Sequence, residues 1–146
     1  MMEFVCINQD EIGKHPLYVT YTESHGDDFF LSLVGDYFIF LVDGPVIIAG
    51  MGIISSGFPD FHIEHIIVPD ENLRGKGYGS RLMLHFLREI QHERKDVQCR
   101  CAKENEEGRG LFEKFKFKPV TDDEGYHEDD LELKFKDFPH FTEESE

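Results

Sequence analysis

The sequence predicts a mixed α/β domain, and three observations predict it. Residues 37–42 and 46–54 are β-rich apolar runs joined by Asp43-Gly44-Pro45, the pattern of an antiparallel hairpin. Residues 61–68 form a second β-branched run, which leads through Arg74-Gly75-Lys76-Gly77-Tyr78-Gly79-Ser80 into a segment with helical apolar spacing. Beyond that segment a strand (97–102), a helix (105–115) and strands at 117–120 and 131–135 follow in turn. The 146 residues suit one domain with one substantial core. Residues 1–137 are assigned to it, and 138–146 to an acidic, solvated tail, with packing back of Phe138 and Phe141 as the alternative.

Taken in order, residues 2–7 read as a first strand and 9–14 as a brief helix ending near Pro16. Residues 17–22, Leu-Tyr-Val-Thr-Tyr-Thr, have strand-like composition, and 29–34 fit a short helix or a short strand. Gly50 and Gly52 interrupt the second hairpin strand and point to a bulge or a close backbone approach. Residues 80–94 are the best helix: Leu82, Met83, Phe86, Leu87 and Ile90 share a face, while Arg81, His85, Arg88, Glu89 and His92 are assigned to water. Asn105 suits a helix N-cap, followed by Glu106 and Glu107 in the first turn and by an apolar side made of Leu111, Phe112 and Phe115. Cys6, Cys99 and Cys101 lack Cys-x-x-Cys spacing and read as reduced thiols; Cys99 and Cys101 share a strand face, where packing is the reading and a metal or redox role the alternative.

Charge narrows the partners. Thirty acidic residues against fifteen basic ones give a net charge of −15, which argues against binding a nucleic-acid backbone. A cationic small molecule or basic peptide is more compatible with that field, and solubility alone explains it equally well. The N-terminus lacks a basic start and a long apolar stretch, and no run approaches the ~20 residues that span a bilayer. The expected compartment is therefore the cytoplasm, with no membrane partner.

The glycine loop carries the functional signal. Alternate glycines permit unusual φ values and remove side chains, so loop amides can converge on an oxyanion at the positive end of the following helix. Gly75-x-Gly77-x-Gly79 matches neither the nucleoside-triphosphate loop nor the dinucleotide loop. Arg74-x-x-Gly77-x-Gly79 after a strand does resemble the diphosphate-binding signature of the GCN5-related N-acetyltransferases. A second match follows at Asn105 to Phe117, where the family typically has Asn, a small residue three positions on, Leu-Tyr-Glu-Lys and Gly-Phe. The likeness spans roughly residues 37–136. It implies the acyl-CoA N-acyltransferase fold, a mostly antiparallel mixed sheet flanked by helices and splayed between its central strands, with one or two helices where 17–22 looks strand-like. The segment 69–73 is one residue longer than usual.

The resemblance also implies roles. Amides from Arg74, Gly75, Lys76, Gly77, Tyr78, Gly79 and Ser80 would hold the diphosphate of acetyl-CoA, with Lys76 and Arg81 as candidate helping cations. The backbone of Ile67 and Val68 would pair with the pantetheine arm, and Asn105 would contact it. An alkyl ammonium with a pKa of about 10.4 must lose a proton before it attacks a thioester. His62 stands where some family members keep a catalytic Glu, and strand alternation puts Glu64 on its face and His65 on the other. Glu64 orients His62, or either acts alone; alternatively Glu64 only binds the ammonium and His62 is a sheet residue. Phe112 replaces the Tyr that commonly protonates the departing thiolate, leaving water or Tyr126 for that task, and Lys116 replaces the usual Gly. The expected protein is an acetyl-CoA-dependent N-acetyltransferase acting on an amine by direct transfer in a ternary complex, with a homodimer and no metal site as further expectations. The alternative is a catalytically weak acyl-CoA-binding sensor or scaffold.

Overall fold

A computed structural model describes residues 2–55, 60–102, 104–120 and 129–140, with the side chain of Glu64 outside that set. Among the described residues, seven strands form one sheet in the order β1-β2-β3-β4-β5-β7-β6. These are β1 (Met2–Asn8), β2 (Tyr37–Asp43), β3 (Val46–Ile54), β4 (Phe61–Ile67), β5 (Val97–Arg100), β6 (Lys118–Pro119) and β7 (Asp130–Leu133). Neighbours pair antiparallel except β4 with β5, which run parallel. The helices are α1 (Gln9–Ile12), α2 (Pro16–His25), α3 (Asp28–Leu31), α4 (Tyr78–Ile90) and α5 (Glu106–Lys114).

The sheet separates two apolar layers. On one face Leu82, Met83, Phe86, Leu87 and Ile90 of α4, with Phe112 of α5, pack on Ile39, Met51, Ile63 and Val97. On the other, Leu17 of α2, Phe29 of α3 and Leu33 pack on Phe38, Phe40 and Ile47. The alternate sides of β2 and β3 therefore both bury side chains, which is why these strands read as continuous apolar runs.

Several expectations change. The strand-like segment 17–22 is helical: Pro16 occupies the first turn and His15 Nδ1 accepts the Leu17 amide at 3.1 Å, so the helix start outweighs β-branched propensity. Residues 28–31 resolve the other ambiguity as a helical turn. The long helix starts earlier than expected, at Tyr78, and after Ile90 tightens into a 3₁₀ turn, Gln91–Glu93, that Arg94 ends at φ 56°. His85 is not simply solvated, because its ring stacks on Phe4 at 3.9 Å and burial lowers its pKa. Of the two tail aromatics for which packing back is the alternative, Phe138 does so, being 8% exposed with its ring 5.2 Å from Phe135, and Phe141 lies outside the described residues.

The interrupting glycines do have a packing reason. A Cβ on Gly52 would stand 2.1 Å from the Val34 carbonyl oxygen, where the chain entering β2 crosses β3 face on, and one on Gly50 would strike Phe29 and Phe40 at 2.9 Å. Opposite Gly52 lies a bulge. Met51 pairs with Ile66 and Ile53 with Ile63, so one β3 residue faces two on β4, Glu64 and His65. Cys99 and Cys101 are buried in the α4-side core, as packed thiols should be, and Cys6 is exposed.

Candidate active site

The site begins where β4 and β5 part. Their parallel pairing covers only Phe61 with Val97, His62 with Gln98 and Ile63 with Cys99, after which β4 continues to Ile67 with a partner on one side alone. Beyond Ile63 the β4 edge that faces β5 carries unused backbone donors and acceptors, which an extended ligand arm can satisfy as a substitute strand. A cleft of about 620 Å³ opens from this fork to the loop before α4, within the roughly 300–1,000 Å³ typical of small-molecule and cofactor sites.

The glycine loop forms one lip. Gly75 and Gly77 adopt φ of 77° and 87°, and an added Cβ would meet nothing within 4 Å at either, so the demand for glycine there is conformational. Gly77 caps α4 without any side-chain bond, and the first bond of the helix region runs from the Arg81 amide to the Gly77 carbonyl at 3.0 Å. The amides of Tyr78, Gly79 and Ser80 precede it and point outward at the positive helix end, where a bound anion gains about 0.3–1 kcal/mol from the dipole alone. Gly79 lies against Leu111 of α5, 3.4 Å from a Cβ placed on it.

The N-terminus of α5 forms the facing lip. Asn105 Oδ1 accepts the Gly108 amide at 3.0 Å, and a side chain on Gly108 would stand 2.9 Å from Cys101 Sγ and 2.6 Å from Asn105 Nδ2. Arg109 locks this corner, donating from Nε to the Cys101 carbonyl at 3.0 Å and pairing with Asp129 at 3.7 Å. At the far end of α5, a Schellman close takes the Phe117 amide to the Phe112 carbonyl and the Lys116 amide to the Glu113 carbonyl. Lys116, at φ 73°, occupies the left-handed position usually given to Gly.

Of the residues expected to hold the coenzyme, Ile67, Val68, Arg74, Gly75, Gly77, Tyr78, Gly79, Ser80 and Asn105 all line this cleft. Lys76 is exposed on the same loop but stands off the wall. The Arg74 side chain turns back, its Nε donating to the Val68 carbonyl at 2.9 Å, so it braces the loop. Arg81 points away towards Met2 Sδ at 3.3 Å. The cation across the cleft is instead Lys114, whose Nζ donates to Ser80 Oγ at 3.1 Å and links the lips. Its signal was in the sequence, since Glu107, Leu111 and Lys114 recur at helical spacing and all line the cleft.

His62 lies on β4 at the last paired rows, half-buried, between Ile54 of β3 and Gln98 of β5. Glu64 follows at the bulge. His65 differs from the expectation of plain alternation, which puts it on the face away from His62: it lines the cleft, because the bulge breaks the alternation. Phe112 is 4% exposed and packs edge-on against Phe117 at 5.1 Å, so it neither reaches the cleft nor carries a proton. Tyr126 falls outside the described residues. Among the described residues, Asp60, Asp96 and Glu132 have carboxylate atoms within 4.8 Å of one another, but Lys134 already pairs with Glu132 at 3.1 Å and Asp96 at 3.6 Å.

A strand that parts from its parallel neighbour, a glycine-built anion loop and a helix start facing it together define an acyl-CoA N-acyltransferase architecture. The model of the acetyltransferase (GNAT) family matches residues 8–117, and the chain belongs to that family. Solved structures agree in fold. Escherichia coli ElaA is 20% identical, with 90% of this chain and 97% of that one covered at a TM-score of 0.60. The ribosomal-protein-S18-alanine N-acetyltransferase of Escherichia coli is 16% identical over 90% and 91% at 0.61. AtaTR bound with acetyl-CoA is 13% identical over 92% and 94% at 0.60. No curated protein matches the chain. No helix among the described residues is long and apolar enough to cross a membrane.

Proposed function

We propose that the protein transfers an acetyl group from acetyl-CoA to an amine within a ternary complex. The observation that carries this reading is the fork: an unpaired β4 edge running into a loop whose glycines at positive φ leave three helix-start amides open. In this arrangement the amides of Tyr78, Gly79 and Ser80, assisted by Lys114, receive the diphosphate. The β4 backbone from Glu64 to Val68 aligns the pantetheine, apart from the Val68 carbonyl, which Arg74 occupies. The acetyl carbon is thereby brought near the end of the paired rows, beside His62 and Glu64.

His62 and Glu64 are the groups for taking the ammonium proton, directly or through water, after which the neutral amine attacks the thioester carbon and the thiolate leaves. With Phe112 buried and without a hydroxyl, that thiolate takes its proton from solvent or from a group on the cleft wall, His65 or Tyr78. A CoA thiol of ordinary acidity, near 8.5, makes this step undemanding at neutral pH. The chain's charge of −15 favours an acceptor that is itself cationic.

Phe112 also supports a second reading, an acyl-CoA-binding module with little turnover. Thermal shift and a thiol-release assay against an amine panel separate the two. Acetyl-CoA and CoA should stabilise the chain while ATP and NAD do not, and His62→Ala and Glu64→Ala should each lower kcat by about 10²-fold or more with acetyl-CoA protection intact. Protection by CoA without turnover of any amine would leave the binding module. ATP protection, or none, would end both.

A further inference from the structure

A second cavity, of about 590 Å³, opens at the glycine-loop end of the sheet, bounded by α2, the β2–β3 turn and residues 69–73. Its walls combine three kinds of group. Tyr21 presents a ring stacked on His25, with centroids 4.5 Å apart and planes at 16°. Val46, 54% exposed, and Leu73 supply apolar surface. Asp70 and Glu71 supply two carboxylates. No Lys or Arg lines the cavity, and among the described residues neither carboxylate forms an ion pair. One oxygen of Asp70 accepts the Asn72 amide at 2.9 Å. Asp70 also stands close enough to Tyr21 for its charge, after burial, to raise the phenol's pKa.

We propose that this cavity binds a small organic cation, an alkylammonium with an apolar body, and that its occupancy strengthens acyl-CoA binding in the neighbouring cleft. An aromatic pair, two carboxylates without an ion-pair partner among the described residues and an apolar floor complement such a ligand group by group, whereas no Lys or Arg lines the cavity to favour an anion. The coupling follows from a shared wall. Leu73 lines both cavities; its amide donates to the Asp70 carbonyl at 2.9 Å, and the Arg74 amide donates to the Glu71 carbonyl at 3.2 Å. The two carboxylates thus stand on a hydrogen-bonded turn that runs into the anion loop, where their charge opposes a diphosphate. A cation beside them cancels part of that repulsion. A unit charge about 10 Å away in a water-like dielectric changes an equilibrium roughly twofold.

The probe is benzyltrimethylammonium, which has no N–H and so cannot serve as an acetyl acceptor. Amide NMR of the full chain should show shifts grouped at Tyr21, His25, Val46 and residues 70–73. Calorimetry at matched, low ionic strength should then show the CoA Kd falling roughly twofold with the probe present, and the probe Kd falling by the same factor with CoA present. The exposed variant Glu71→Gln should weaken the probe and, by removing one opposing charge, tighten CoA without it. Shifts centred on the fork, no shifts, or equal shifts produced by magnesium would overturn the site. Probe binding with an unchanged CoA Kd would overturn the coupling. That coupling rests on CoA occupying the fork, whereas the probe's own binding does not, so the two failures are told apart.

Discussion

Two helix starts face each other across the cleft, and they are built in opposite ways. At α4 the cap is Gly77, which has no side chain to offer the orphan amides, and the first turn holds no acidic residue. At α5 the cap is Asn105, whose side chain takes the Gly108 amide, and Glu106 and Glu107 in the first turn offset the dipole. At one end no side chain of the cap takes an orphan amide, while at the other the cap side chain takes one and the helix start lines the cleft. A helix N-terminus keeps its amides open to an anion where the chain withholds its own cap, and the proposed diphosphate site is at the end that does so.

The largest effect that would test this contrast comes from Gly77→Val. Holding a β-branched residue near φ 87° costs about 1–2 kcal/mol or more, and relaxing it re-aims the amides, so CoA affinity should drop about tenfold or more by calorimetry. Asn105→Ala, on the self-satisfied side, should lower stability by about 1 kcal/mol in urea titration. If its CoA Kd worsens as much as that of Gly77→Val, the two ends do not differ as described. Lys114→Ala sharpens the comparison, because it removes the cation that joins the lips. CoA should bind roughly two- to fivefold more weakly at low salt, with the difference shrinking as ionic strength rises.

The smallest effect lies on the back of α4. Burial against Phe4, with Arg88 adding to it and Glu89 opposing, holds the His85 pKa below its ordinary value of 6.5. The folded state therefore disfavours protonated His85, and stability should decline as pH falls below about 6.5 towards the folded-state value. His85→Phe should flatten that part of the urea midpoint against pH without moving CoA affinity; an unchanged slope would show that His85 does not titrate as inferred.

What could be read from the sequence was whatever local chemistry dictates. The strand, glycine loop and α4 were legible because positive φ at Gly75 and Gly77 and the apolar stripe of α4 are written in residue types. The fork became legible through resemblance, since no local pattern says that β5 will leave β4 after Ile63. Helix α2 was obscured by its own composition, Val19, Thr20 and Thr22 being strand-prone residues held helical by the His15 cap and by Leu17 in the core. A bulge or close approach at Gly52 was legible in the glycines that interrupt β3, but which β4 residues share the place opposite it, Glu64 and His65, was not, because that depends on pairing between strands rather than on local residue types. Lys114 was legible in the helical spacing of α5, although it stands far from the glycine loop in sequence and meets Ser80 only in the fold.

The bulge has a consequence for anyone counting along β4. Ile63 and Ile66 both pack against the α4-side core while Ile67 meets the opposite layer, so odd and even exchange meaning midway through the strand. The extra residue acts as a parity reset: the half of β4 that pairs with β5 and the half that lines the cleft follow opposite odd–even counts. Deleting a single residue at 64 or 65 would remove the bulge and let one plain alternation run the length of β4, with Ile63 and Ile66 still on the α4-side core, Ile67 still on the opposite layer, and every downstream glycine in place.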